Sequence, residues 1–169
     1  MKLYSGKVPI IAEEVVRALT AANDIETEDP GELRLDVEAV LKEYLRAERE
    51  IDDLAKRRLE SSNLPHTQFG RAKKSVADSR GIGIGEDAID HILNQLVSML
   101  MHSARVDEVF AEDHELRARM TPILRKHMAL EDDIDREVRG RLKNLVDGSR
   151  DFEIQYAKTL EEIKRKRGL

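Results

Sequence analysis

The chain contains no cysteine and no tryptophan, and aromatic residues make up only 4% of its 169 positions. Without cysteine there is no disulfide framework and no thiolate zinc site. No run approaches the roughly 18 apolar residues that a bilayer-spanning helix needs. The opening MKLYSGKVPII lacks the long apolar core of a secretory signal. These absences imply a soluble protein of a bacterial cytoplasm, without a membrane association. The scarcity of rings also argues against a small-molecule pocket, which draws much of its contact area from aromatics. Charge is what the chain has in plenty: 37% of residues are charged, with 34 acids against 29 Lys and Arg and a formal net charge of −5. The apolar share of 40% is too large and too regularly spaced for disorder.

The apolar spacing is helical throughout. In PIIAEEVVRALTAAN, Pro9 suits a first helical position, and Ile11, Val15, Val16, Leu19 and Ala22 share a face. DIETEDPGE follows as an acidic loop. From about 32 to 61 the apolar sites Leu33, Val37, Val40, Tyr44, Ala47, Ile51 and Leu54 alternate steps of four and three, the seam of helices packing side by side. Leu41, Leu45, Ala55 and Leu59 widen that stripe, which favours a bundle core over a lone two-stranded coiled coil. A weaker helix spans about 67–79, with Phe69, Ala72 and Val76 inward, before Gly81, Gly83 and Gly85 break the chain.

The same order then returns. DAIDHILNQLVSMLMHS is an apolar helix, RVDEVFAEDHE an acidic connector, 114–144 a long helix, and 149–166 a closing helix with Phe152, Tyr156, Leu160 and Ile163 on one side. Shifting the first long helix by 83 positions gives nine identities over twenty-eight, including Leu33/Leu116, Leu41/Leu124, Ile51/Ile134 and Leu59/Leu142. About two are expected from ordinary composition. The expected fold is therefore all-α: a tandem duplication of a short-long-short three-helix unit, 1–82 and 83–169, packed as one helical bundle. That helix order is also the order of a histone-like doublet, which stands as the alternative. Pro122 occupies the place of Ala39. It either kinks the second long helix or, with Thr121 as cap, starts a new one.

The segments MKLYSGKVPIIAEEVVRAL, VDEVFAEDHELR and FEIQYAKTLEEIKRKRGL resemble an uncharacterised bacterial family, the domain-of-unknown-function family numbered 507. The resemblance covers most of the chain and implies a helical, bacterial, soluble protein. It implies no activity, cofactor or catalytic residue.

The residues themselves offer little chemistry. Di-iron bundles place Glu three positions before His. None of His66, His91, His102, His114 and His127 has an acid there. Asp87 and His91 could share a face, but two ligands do not make a metal site. EDHE at 112–115 and EDDID at 131–135 lack the alternating ligands and central Gly of a calcium loop, and read as a helix start and a solvated face. GIGIGE at 81–86 follows no strand and is read as a junction rather than a phosphate cradle. No catalytic residue, metal ligand or cofactor is expected.

Two surfaces stand out. Lys73, Lys74, Lys164, Arg165, Lys166 and Arg167 lie on the third helix of each unit and are candidate nucleic-acid contacts. The acidic connectors would repel phosphate, which counts against DNA wrapping through those loops. Leu96, Met99, Leu100 and Met101 form the most apolar stretch and are a candidate partner surface, against the plainer reading that they are core. The leading expectation is a non-catalytic helical adaptor or scaffold acting through protein partners or as a homodimer. A nucleic-acid-associated protein is the alternative.

Overall fold

A computed structural model describes residues 1–129 and 131–169. The molecule is mostly helical. Its helices are α1 (Val8–Ala21), α2 (Pro30–Ser61), α3 (Phe69–Arg80), α4 (Ala88–His102), α5 (Asp113–Met128), α6 (Glu131–Arg141) and α7 (Arg150–Arg167). Single 3-10 turns precede α1, α3 and α4. Pro9 sits in the first turn of α1, where its missing N–H costs nothing. Asp29 Oδ1 accepts the backbone N–H of Glu32 at 3.1 Å and caps α2. Ser149 Oγ does the same for α7 by accepting from Phe152 N at 3.1 Å.

The acidic connectors depart from expectation. They are not separate loops but pair with each other as β1 (Ile25–Glu26) and β2 (Glu108–Val109). The pairing is antiparallel, with Ile25 opposite Val109 and Glu26 opposite Glu108. Ile25 is buried and anchors the ribbon to the core. Thr27 Oγ1 donates to Arg105 O at 2.6 Å, and Asp24 O accepts from both Phe110 N and Ala111 N. Backbone groups in two connectors that approach each other satisfy one another, whatever their side-chain charge.

Four helices make the body. α1 packs against α2 and α5, and α4 packs against the same two. The long helices α2 and α5 make no extended contact with each other among the described residues and stand across the bundle with α1 and α4 between them. The core draws on both halves of the chain: Ile11, Val15 and Leu19 from α1, Leu33, Val37 and Leu41 from α2, Ile92 and Leu96 from α4, Leu116, Met120 and Leu124 from α5. Because each helix has two neighbours, the buried stripe of α2 is wider than a two-helix seam. Leu41 and Leu45 are buried, while Val40 and Ala47 are only partly covered.

Two hairpins extend from this body. The distal half of α2 packs on α3 through Ile51, Val76 and Ala77, then Ala55, Leu59 and Ala72. α6 packs on α7 through Ile134, Val138, Leu142, Phe152 and Ile163. The chain's opening residues seat the second hairpin: Tyr4 joins its core, and Lys2 N donates to Met128 O at 3.2 Å. Gly6 is required here, because a Cβ would lie 2.1 Å from Gly168 O.

The second long stretch is not one helix. It divides after Met128, although not at Pro122. α5 runs through Pro122, and Thr121 Oγ1 donates to Arg117 O inside the helix instead of capping a new one. The division follows the charges. The last turn of α5 carries Arg125, Lys126 and His127, and the next helix opens on acids, a stop and restart in terms of helix dipoles. In α2 the matching region is bridged instead by Arg46, which binds Glu43 one turn back and Glu50 one turn on.

Candidate functional site

The two hairpin arms flank an open cleft of about 960 Å³. One wall is the middle of α2, with Leu45, Glu48, Arg49 and Asp52; the other is the end of α7, with Glu161, Lys164 and Arg165. Lys2 to Ser5 form its base. Both halves of the chain therefore build it. Toward the arm tips a second hollow of about 590 Å³ lies between His66 and the face of Arg139, Phe152 and Tyr156. Arg139 stacks over both rings there, at 5.6 and 5.8 Å. Tyr156 donates to Asp135, and burial together with that carboxylate pushes its hydroxyl up to about 12.

The carboxylates of the main cleft are already answered. Lys73 Nζ lies 2.8 Å from Asp52 and 3.5 Å from Glu48, and Lys164 lies 3.6 Å from Glu161. Burial opposes the charge on Lys73, but the Asp52 hydrogen bond and the two carboxylates outweigh it and raise its affinity for the proton. Lys2, Arg49 and Arg165 line the same cleft without an ion pair among the described residues.

The expected basic contacts therefore separate. Lys73 is committed to Glu48 and Asp52, Lys74 to Asp78 and Asp87, and Arg167 to Glu137. These three fasten α3 and α7 to their neighbours and are not free cations. Arg165 and Lys166 are exposed, and Lys164 is partly covered. The expected partner surface separates too. Leu96 and Leu100 are 0% and 2% exposed and belong to the core, since α4 lies between both long helices. Met99 is partly buried against that core, and only Met101, 48% exposed, faces solvent.

The histidines disperse. His66 stacks on Phe69, His91 tilts against Tyr44, His102 Nδ1 meets Ser98 O at 2.7 Å, and His114 lies beside Glu112. Burial lowers the basicity of His91. Asp87 is engaged by Lys74 rather than by His91. His127 is buried and sits 3.1 Å from Glu14, which also accepts from Lys126 at 3.0 Å. The Lys126 hydrogen bond, then His127, hold the Glu14 carboxyl below its usual range against a desolvation penalty. In EDHE, Glu112 and Glu115 form a capping box at the start of α5. In EDDID, Asp133 pairs with Arg136 and Ile134 is buried. The side chains of Glu131 and Asp132 lie outside the described residues.

Sequence reasoning did not single out Lys2, Arg49 or the Glu14–His127 pair. No local motif marks them, because their neighbours arrive from segments far apart in the chain.

The fold thus defines a mostly helical protein: a four-helix body with two hairpin arms around a polar cleft. The chain belongs to the DUF507 family of proteins of unknown function, whose profile matches residues 1–169, the whole chain. No curated protein matches it. No helix among the described residues is long and apolar enough to cross a membrane.

Proposed function

We propose that this protein is a non-catalytic helical scaffold of the bacterial cytoplasm that holds a protein segment in the cleft between its two arms. The observation that carries this reading is the cleft. It is as large as the largest common ligand sites, yet it is open and walled by long charged side chains, which suit a polypeptide segment better than a small molecule. The arms have thin cores of a few side chains each, so their outer faces are free to pack on something else.

The same proposal includes two related units, 1–82 and 83–169. In its support, the order of 3-10 turn, short helix, strand, long helical stretch and third helix occurs twice. α1 and α4 also meet the same two long helices, and β1 pairs with β2. Nucleic-acid association through the third helices is the weaker reading, because Lys73, Lys74 and Arg167 are held in ion pairs within the molecule.

The test is site-specific photo-crosslinking in cells. A photoreactive residue at position 49 or 165 should give discrete protein adducts, and the same residue at Arg17, exposed on α1, should not. Adducts of equal pattern from all three positions, or none from the cleft, overturn the reading.

A further inference from the structure

The cleft has a counterpart elsewhere on the molecule. The β1–β2 ribbon carries Glu26 and Glu108, and the turns beside it carry Glu28, Asp29, Asp107 and Glu112, all exposed. Its register sets Glu26 directly opposite Glu108. Like charges so placed destabilise a ribbon unless a cation comes to them. Among the described residues none of Glu26, Glu28 and Glu108 has an ion pair, although the nearby Glu32 and Asp24 find Arg105 and Arg119. Phe110, next after β2, is 61% exposed. The cleft is the reverse: its Glu48, Asp52 and Glu161 are paired, Arg49 and Arg165 have no ion pair among the described residues, and Lys2 lies over the Tyr4 ring at 5.9 Å. Lys2, Arg49 and Arg165 come from three separate segments of the chain and are gathered in this one cleft.

The two features cannot meet within one molecule. The ribbon adjoins the first turn of α2, and the cleft begins at Leu45 on the same helix. At 1.5 Å per residue a rigid helix keeps them about 20 Å apart.

We propose that the cleft receives the acidic ribbon of a second copy of this chain, so that copies associate head to tail. Lys2, Arg49 and Arg165 face Glu26, Glu28 and Glu108 of the neighbour, and Phe110 reaches the part of the cleft lined by Leu45 and Leu169. Joined head to tail rather than reciprocally about a two-fold axis, the contact is heterologous and builds a ring or an open chain larger than a dimer. This inference rests on the cleft being a protein-binding surface, as proposed above.

Sedimentation of nuclease-treated, purified protein tests it. At about 20 mM salt the average mass should rise with concentration past that of a dimer, and at about 500 mM salt it should fall to the monomer. Arg49→Glu/Arg165→Glu and Glu26→Lys/Glu108→Lys should each weaken association at least about tenfold, while circular dichroism shows both variants folded. An equimolar mixture of the two variants should associate again, because each supplies the charge the other lacks. A wild-type chain that stays monomeric at low salt, or association that ignores both reversals, overturns the inference. So does a cleft that instead binds a labelled oligonucleotide and loses it on Arg49→Glu/Arg165→Glu. If the purified chain is monomeric while cleft positions crosslink a different protein in cells, this inference alone falls. If neither occurs, the scaffold reading falls with it.

Discussion

Asp24 is a carboxylate buried in the connector just before β1, and it joins the two halves of the molecule at a single residue. Its side chain accepts from Arg119 Nε at 2.9 Å, and its carbonyl accepts two backbone N–H groups from the other connector. Both are contacts over long sequence distance, and neither could be inferred from its neighbours. Burial separates residues in the same way on α4. Leu96→Ala should cost about 2–5 kcal/mol in urea unfolding, because it empties a packed core site. Met101→Ala should change stability by less than about 0.5 kcal/mol, as an exposed site does. Equal effects would mean that α4 does not lie as described. Glu14 provides a pH test. Its folded carboxyl is held below the ordinary 4.5, first by Lys126 and then by His127. The stability it contributes is therefore present above that value and lost as pH falls through the lower folded one. Thermal melts taken downward from pH 5 should show a steeper loss for wild type than for Glu14→Gln.

Charge order decides the helix boundaries at the scale of elements. The second long stretch has a basic last turn followed at once by acids, so two short helices are better solvated at their ends than one continuous helix. In the first, Arg46 is paired in both directions and the helix continues. Pro122 invites attention as the breaker, but it sits on an exposed face in the interior of α5, where water can take the carbonyl that its missing N–H leaves unpaired. Pro122→Ala should therefore stabilise the protein by about 1–3 kcal/mol in chemical denaturation, with no change in the boundary at Met128 by amide exchange. A destabilised variant would show that the proline fixes a bend the fold requires. The apolar steps of four and three located α2 correctly, and of their positions Leu33, Val37, Tyr44 and Ile51 are buried, but Val40, Ala47 and Leu54 are only partly covered while Leu41, Leu45, Ala55 and Leu59 beside the seam are buried. The periodicity reports a face. Which edge of that face is deepest depends on the neighbours, and α2 changes neighbours from the body helices to α3 along its length.

At the scale of the whole molecule the halves interleave. α1 packs on α5 and α4 on α2, so the body core cannot form from residues 1–82 or 83–169 alone. Expressed separately, each half should lack the dispersed amide spectrum of a packed fold, and mixing them should restore helicity and cooperative melting. Two independently folded halves would contradict the shared core. The arms have smaller cores than the body among the described residues, and amide exchange should find them less protected than α1, α4 and the proximal part of α2.

Helix identity, approximate limits and inward faces follow from the sequence alone, because they depend on contacts within a few residues: spacing, caps and end charges. The helices on either side of each acidic connector were legible for the same reason, although the stretch expected as one long helix at 114–144 is two. The tertiary structure decided where those faces meet. It paired two acidic connectors into a ribbon, because backbone donors and acceptors brought together must be satisfied. It buried Leu96 and Leu100 and committed Lys73, Lys74 and Arg167 to internal carboxylates. It also left Lys2, Arg49 and Arg165 together in one cleft. Coulombic and packing terms depend on distance in space, and no spacing along the chain records which side chains arrive from the far side of a bundle.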